Sequence, residues 1–189
     1  MRSLPSDPRV LILVAWHLAG VIFLFRWIFR DPMVDLRYLA AGALLPDVID
    51  LPLGSMTVST GQAWFHTLVV PSLAIVLVLV LTGRRGPARK AWMAVGVGMM
   101  FHLLLDGMWA TREVFFWPLF GWDFPAGPDG SWAAMWDRAL ADPWRWVREA
   151  AGIGYLVWLW IAYELADPSR RRHLLATGRL DASSGPVSE

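Results

Sequence analysis

The apolar positions of the chain fall in blocks, and short polar stretches separate them. Val10–Ile28, Trp64–Leu81, Ala91–Trp109 and Val147–Leu165 each come close to the roughly 20 apolar residues that cross a hydrocarbon core. Leu36–Leu45 is apolar but too short to span. Pro46 and Asp47 interrupt it, so it reads as a short or broken helix inside the protein rather than a lipid-facing one. The pattern predicts an all-α, multi-pass transmembrane helical bundle with about four full spans plus one short or broken helix.

Punctuation between the blocks supports the division. Asp7-Pro8 and Asp142-Pro143 read as helix starts, with Asp as cap and Pro in the first turn. Pro52–Gly61 reads as a loop, Gly83–Pro87 as a turn and Arg112–Gly130 as irregular chain rich in aromatic residues, Pro and Gly. After Ser131, the spacing of Trp132, Met135, Trp136 and Leu140 suggests a short amphipathic helix, lying on the membrane or packed on the bundle. No internal repeat is visible. Residues 1–168 are expected to form a single membrane-embedded domain, and residues 169–189 a polar, disordered, cytoplasmic tail.

Lys and Arg set the expected orientation. Arg84, Arg85, Arg89 and Lys90 place their turn in the cytoplasm, and Arg170–Arg172 place the C-terminus there. Arg112–Asp142 then lies outside. If the short helix crosses, Arg26, Arg30 and Arg37 are cytoplasmic and the N-terminus is outside; if it only dips in, the N-terminus is inside. The first arrangement uses more of the positive charge. The expected location is the inner membrane, with membrane lipid as partner.

Composition sharpens this. Of 189 residues, 56% are hydrophobic and the mean hydropathy is +0.44, above what a soluble domain carries. Thirteen Trp residues suit a membrane–water interface. A net charge of +1 gives no footprint for nucleic acid. The absence of Cys excludes disulfides and thiolate metal sites.

Ionisable groups inside apolar blocks are costly and mark functional candidates. His17, His66 and His102 lie in or at the edge of such blocks, as do Asp47, Asp50 and Asp106. His102 and Asp106 are four residues apart, on one helical face. Asp47 and Asp50 share a face if their turn is helical. The expected topology brings all six to one depth near the outer interface. Imidazole with carboxylate is a ligand set of Zn²⁺, Mn²⁺ or Fe²⁺ hydrolytic sites. Each residue also has a plainer reading. His17 can be a core histidine bonded to a carbonyl, Asp47 and Asp50 can cap turns, and His66 can be interfacial. Together they favour a polar cluster, either a metal site or a hydrogen-bond network. His173, in the basic tail, reads as solvated.

At these residues the chain resembles a known family. Gly42-Ala43-Leu44-Leu45-Pro46-Asp47-Val48-Ile49-Asp50, Phe65-His66-Thr67, His102-Leu103-Leu104-Leu105-Asp106 and Phe116-Trp117-Pro118 look like signatures of predicted membrane-bound metal-dependent hydrolases, among them LexA-regulated inner-membrane proteins. His17 fits the early histidine of that pattern. Leu51 stands where the family often has a histidine directly after the second Asp, and Gly61-Gln62 where it often has His-Arg. The family is similar, more distantly, to zinc-dependent phospholipase C and P1-type nucleases, whose ligands include His-x-x-x-Asp on one helix.

The resemblance implies a divalent transition metal, Zn with Mn or Fe as alternatives. It implies His17, Asp47, His66, His102 and Asp106 as ligands, and Asp50 as a ligand, a carboxylate behind a ligand or the general base. The implied activity is hydrolysis of a phospholipid or other phosphoester at the outer interface, with the Trp-rich segment Phe115–Trp136 holding the substrate or fixing depth. The alternatives are a non-enzymatic protein with a structural or partner-binding cluster, or a small metal or proton transporter. A transporter would need polar groups along the whole path, and the expected cytoplasmic halves of the blocks have few.

Overall fold

The computed structural model describes residues 14–57, 62–84, 86–125 and 140–180. Among the described residues seven α-helices run in chain order: α1 (Ala15–Ile28), α2 (Leu36–Thr57), α3 (Val69–Leu81), α4 (Pro87–Leu105), α5 (Arg112–Phe115), α6 (Pro143–Ala162) and α7 (Pro168–Thr177). Two 3-10 turns, Trp64–His66 and Met108–Ala110, flank the site. Among the described residues there is no strand.

The helices pack around α2 and α4, with α1 against both, α3 on α4 and α6 on α1. Glycine lets α2 and α4 touch backbone to backbone. A Cβ at Gly42 would lie 2.2 Å from the Val95 carbonyl oxygen, and one at Gly98 would lie 2.6 Å from that of Leu39. The main core joins Val21, Ile22 and Phe25 of α1 to Leu39 and Ala43 of α2, Phe101 of α4 and Leu159 of α6. A smaller cluster of Leu103, Met108, Val114 and Phe115 sits under the turns beside the site.

The all-helical expectation holds, but the multi-pass transmembrane one does not. Among the described residues, no helix is long and apolar enough to cross a membrane. The described part of α1 has 14 residues and α3 has 13, against about 20 for a span. The longer helices carry charge: α2 holds Asp47 and Asp50, α4 holds Arg89 and Lys90, and α6 holds Arg145, Arg148 and Glu149.

Other boundaries also move, for local reasons. The Trp64–Leu81 block is not one helix, because Asp50 Oδ2 takes the backbone N–H groups of Ala63, Phe65 and His66 and folds that stretch into a turn. The helix starts only after Thr67, whose backbone is extended. In the other direction, α2 runs straight through Pro46 to Thr57, where a broken helix and then a loop are predicted. Pro46 removes one helix donor, but the α2–α4 contact made by Gly42 and Gly98 holds the helix in the turn before it. Residues 58–61 of the expected loop, the Asp7-Pro8 start and the Ser131 helix lie outside the described residues.

One cap read from sequence is present, and the structure adds a second that the sequence reading did not name. Asp142 accepts from the Trp144 N–H at 3.0 Å and starts α6. Asp167 accepts from the Ser169 N–H at 2.7 Å and starts α7. Where composition predicts a disordered tail from residue 169, Pro168–Thr177 is helical and docked. Arg37 Nη1 donates to the carbonyls of Leu175 and Ala176, and the Leu36 N–H donates to that of Gly178 at 2.7 Å. Residues 181–189 lie outside the described residues.

Candidate metal centre

Three elements deliver the site. Asp47 stands on α2, one residue past Pro46. His66 ends the first 3-10 turn. His102 lies in the last turn of α4, and Asp106 is the residue that ends that helix, its N–H bonded to the His102 carbonyl at 3.0 Å. Gly107, at φ +67°, takes the left-handed conformation that stops α4 and turns the chain away, leaving Asp106 over His102. One ligand atom from each of Asp47, His66, His102 and Asp106 lies within 4.8 Å of the other three. This buried group can hold a metal ion.

The distances are tighter than that limit. His66 Nε2 and His102 Nε2 are 3.4 Å apart. Asp47 Oδ1 lies 3.5 Å from His66 Nε2 and 3.6 Å from His102 Nε2. Asp106 Oδ2 lies 3.5 Å and 3.3 Å from the same two atoms. Ligand atoms set tetrahedrally around a Zn²⁺ at 2.0–2.2 Å stand roughly 3.3–3.6 Å from one another. The four donors therefore outline a hole of the right size.

The ring nitrogens behind these atoms are fixed. His102 Nδ1 lies 2.7 Å from the Ala43 carbonyl oxygen, which can only accept, so Nδ1 carries a proton. His66 Nδ1 donates to Asp50 Oδ2 at 2.8 Å. In each neutral ring the lone pair is then on Nε2 and faces the hole. Two lone pairs and two carboxylate oxygens converging this closely repel one another unless a proton or cation sits between them.

The electrostatics agree. Burial alone favours the neutral His66 ring, but pairing with Asp106, Asp47 and Asp50 outweighs it and holds the pKa well above the ordinary histidine value. Burial alone would raise Asp106, yet bonding from His102, His17 and His66 holds its carboxyl well below the usual carboxylate range. Burial likewise opposes charge on Asp47, and pairing with His66 and His102 outweighs it to lower its pKa. Without a metal, a proton on His66 stabilises the cluster.

The remaining two sequence candidates stand one step back. Asp50 is fully buried, and its Oδ2 is taken by three backbone N–H groups and the His66 ring. His17 stacks on His102, with ring centroids 4.3 Å apart, and its Nε2 meets Asp106 Oδ1 at 2.7 Å. That oxygen is not the one facing the hole. Burial opposes charge on the His17 ring, but the bond to Asp106 outweighs it and raises its pKa.

Sequence reasoning missed two partners. The Ala43 carbonyl has no side-chain signal. Glu149 of α6, only 3% exposed, accepts from the Trp16 N–H at 3.2 Å at the start of α1, where Val14 offers no cap of its own. Its signal was available: an acidic residue just inside the Val147–Leu165 block. Burial raises its pKa against the opposing bond from Trp16.

The mouth of the site is on the carboxylate side. The side chains of Asp47 and Asp106 are 32% and 19% exposed, while those of His66 and His102 are at most 1%. Trp64, two residues before His66, packs edge-on against Trp117 and Phe124, with centroids 5.0 Å away in both cases.

No curated protein and no solved structure matches the chain. The model of one family, described as the YdjM inner membrane protein, matches residues 12–172, which include every residue of the cluster. This supports the inner-membrane part of the resemblance read from the motifs and suggests an inner-membrane location. The chain belongs to the YdjM inner membrane protein family.

Proposed function

We propose that the cluster is a Zn²⁺ site and that the protein is a metal-dependent hydrolase acting on a phosphoester carried by a membrane lipid. The observation that carries this reading is the convergence of His66 Nε2, His102 Nε2, Asp47 Oδ1 and Asp106 Oδ2, at 3.3–3.6 Å across the five pairs involving a histidine. Such an ion supplies Lewis acidity, lowering the pKa of a water to near 7 and polarising a phosphoryl oxygen.

The chain's own residues divide the work. His66 and His102 are the deep ligands, aimed from behind by Asp50 and the Ala43 carbonyl. His17 holds the second oxygen of Asp106 and so fixes which oxygen faces the ion. Asp50 has no exposure and no free route to substrate, so its role is to hold His66 rather than to act as base. Asp47, the more exposed carboxylate, is the ligand that would give way to open a position for water, and it would then be placed to take that water's proton.

The detergent-purified protein, loaded with Zn²⁺ or Mn²⁺, should hydrolyse a phospholipid or a generic phosphodiester. Activity should vanish with chelator and in Asp106→Ala, and His102→Ala should lower metal content. Protein that binds metal and keeps its fold but cleaves no tested ester would overturn the hydrolase. That result would favour a second reading, in which the ion is a structural clamp joining α2, the first 3-10 turn and α4. Four protein ligands set tetrahedrally are the usual form of a structural zinc site, and chelation would then lower thermal stability without any activity to lose.

A further inference from the structure

A cavity of about 320 Å³ opens between α1, the end of α4 and α6. Its wall is wholly apolar, built from Ala19, Gly20, Phe23 and Leu24 of α1, Leu105 of α4 and Tyr155 of α6, among others. The size falls at the lower end of ligand pockets, roughly 300–1,000 Å³. It is too small for a whole two-chain lipid and has no polar atom for a headgroup. Glycine makes the space. Gly152 of α6 lies against the α1 backbone, where a Cβ would come 2.6 Å from the Ala15 carbonyl oxygen, and Gly20 leaves Leu105 room.

The cavity adjoins the candidate metal centre. Gly20 and Leu24 follow His17 at i+3 and i+7, so they continue the helical stripe on which His17 sits. Leu105 immediately precedes Asp106. The two side chains that meet at 2.7 Å, His17 and Asp106, thus sit on the same two helices that supply Gly20 and Leu105 to the cavity wall. In a protein of an inner-membrane family, single hydrocarbon chains are the abundant ligand of matching shape and polarity.

We propose that this cavity seats one hydrocarbon chain of a membrane lipid, with the polar end of that lipid directed toward the His17–Asp106 edge of the metal centre. The seat itself stands on the cavity. Its meaning as substrate positioning rests on the hydrolase reading.

The test uses the full chain, stripped with chelator, held in an amphipathic polymer and photolabelled with an alkylphosphocholine carrying a diazirine at its chain end. Label should concentrate on peptides containing residues 16–24 and 151–155. Unlabelled alkylphosphocholines should compete about fourfold more strongly for each added methylene, until the cavity is full. Ala151→Phe should plug the exposed mouth. Gly20→Leu should fill the interior, since even a Cβ there lies 2.7 Å from Leu105 Cδ1. Both should remove that label while helical content is kept. Label spread evenly onto exposed α3 residues such as Val76 and Val80, or equal labelling of both variants, would overturn the seat. The two readings fail separately. Asp106→Ala should label like the parent chain even where it hydrolyses nothing. Hydrolysis without cavity labelling would remove the seat and leave the enzyme.

Discussion

Replacing Asp50 by Asn tests how the site is aimed without touching a ligand atom. In the native chain Asp50 Oδ2 accepts from the N–H groups of Ala63, Phe65 and His66 at 3.0, 2.8 and 3.0 Å, and from His66 Nδ1 at 2.8 Å. An amide oxygen can still take these bonds, and the amide nitrogen replaces Oδ1, which is buried with no partner. What is lost is the charge. Bonds to a charged acceptor contribute about 1.5–3 kcal/mol against about 0.5–1.5 for neutral ones, so a stability loss on the order of 1–3 kcal/mol is expected, with the turn kept. Asp50→Ala would instead leave buried donors without a partner, each costing about 1–3 kcal/mol, and would confuse folding with binding. For the metal, a neutral partner behind His66 makes Nε2 a poorer and less fixed donor. Losing such a partner typically weakens metal binding about 10–100-fold, or about 1.4–2.7 kcal/mol. Zn²⁺ competition against a chromophoric chelator measures this, with far-UV circular dichroism as the check on fold. Unchanged Zn²⁺ affinity in a folded Asp50→Asn protein would refute the claim that Asp50 aims His66 at a metal.

Two further outcomes follow from the surroundings of the site. Glu149→Ala should destabilise the α1–α6 contact by about 1–2 kcal/mol, because the Trp16 N–H loses its acceptor, and Glu149→Gln should restore most of that; thermal unfolding of both variants checks it, and equal losses would show that charge at the helix start, not the hydrogen bond, matters. The chelated protein should also respond to pH on both sides. His66 and His17 have raised folded-state values, so their contribution is complete below the ordinary histidine pKa and is lost as pH rises through the raised ones, whereas Asp47 and Asp106 have lowered values, so theirs is lost as pH falls through those. Saturating Zn²⁺ should reduce the alkaline loss by replacing the His66 proton, while His17 keeps its bond to Asp106; an alkaline limb unchanged by metal in thermal unfolding would count against metal binding at His66.

Much of the helical layout was legible because its signals are local. Asp142-Pro143 starts a helix through a bond from Asp142 to a backbone N–H two residues away, and nothing distant can remove it. The transmembrane spans were misread because they rest on a sum over a window. A run such as Trp64–Leu81 has the apolar content of one helix, but a carboxylate 14 residues before its first member takes the donors that would have started it. Pro46 misled in the opposite way. A proline is a strong local stop, but here the cost is met by a backbone contact between Gly42 of α2 and α4 that no window contains.

The site itself was legible in its members and not in their ranks. His102 and Asp106 share a helix face, so spacing alone brings their side chains together. Asp47 and His66 join them only through tertiary packing, and their costly burial in apolar sequence was the signal that they would find partners. Composition cannot separate a residue that faces the hole from one that faces the back of a ligand, since Asp47 and Asp50 are the same residue type on the same helix. That distinction comes from position. Three residues along α2 turn a side chain by about one helical turn less 60°, enough to point Asp47 toward the histidine Nε2 atoms and Asp50 toward the far nitrogen of His66. The same holds at Asp106, whose two oxygens serve different masters: Oδ2 faces His66 and His102, and Oδ1 faces His17. A carboxylate held in both directions cannot rotate to follow a ligand, so the two oxygens keep their assignments only while α1 stays seated on α4. For that reason the α1–α6 latch at Glu149 belongs to the site as much as the ligands do, although it lies far from them in sequence.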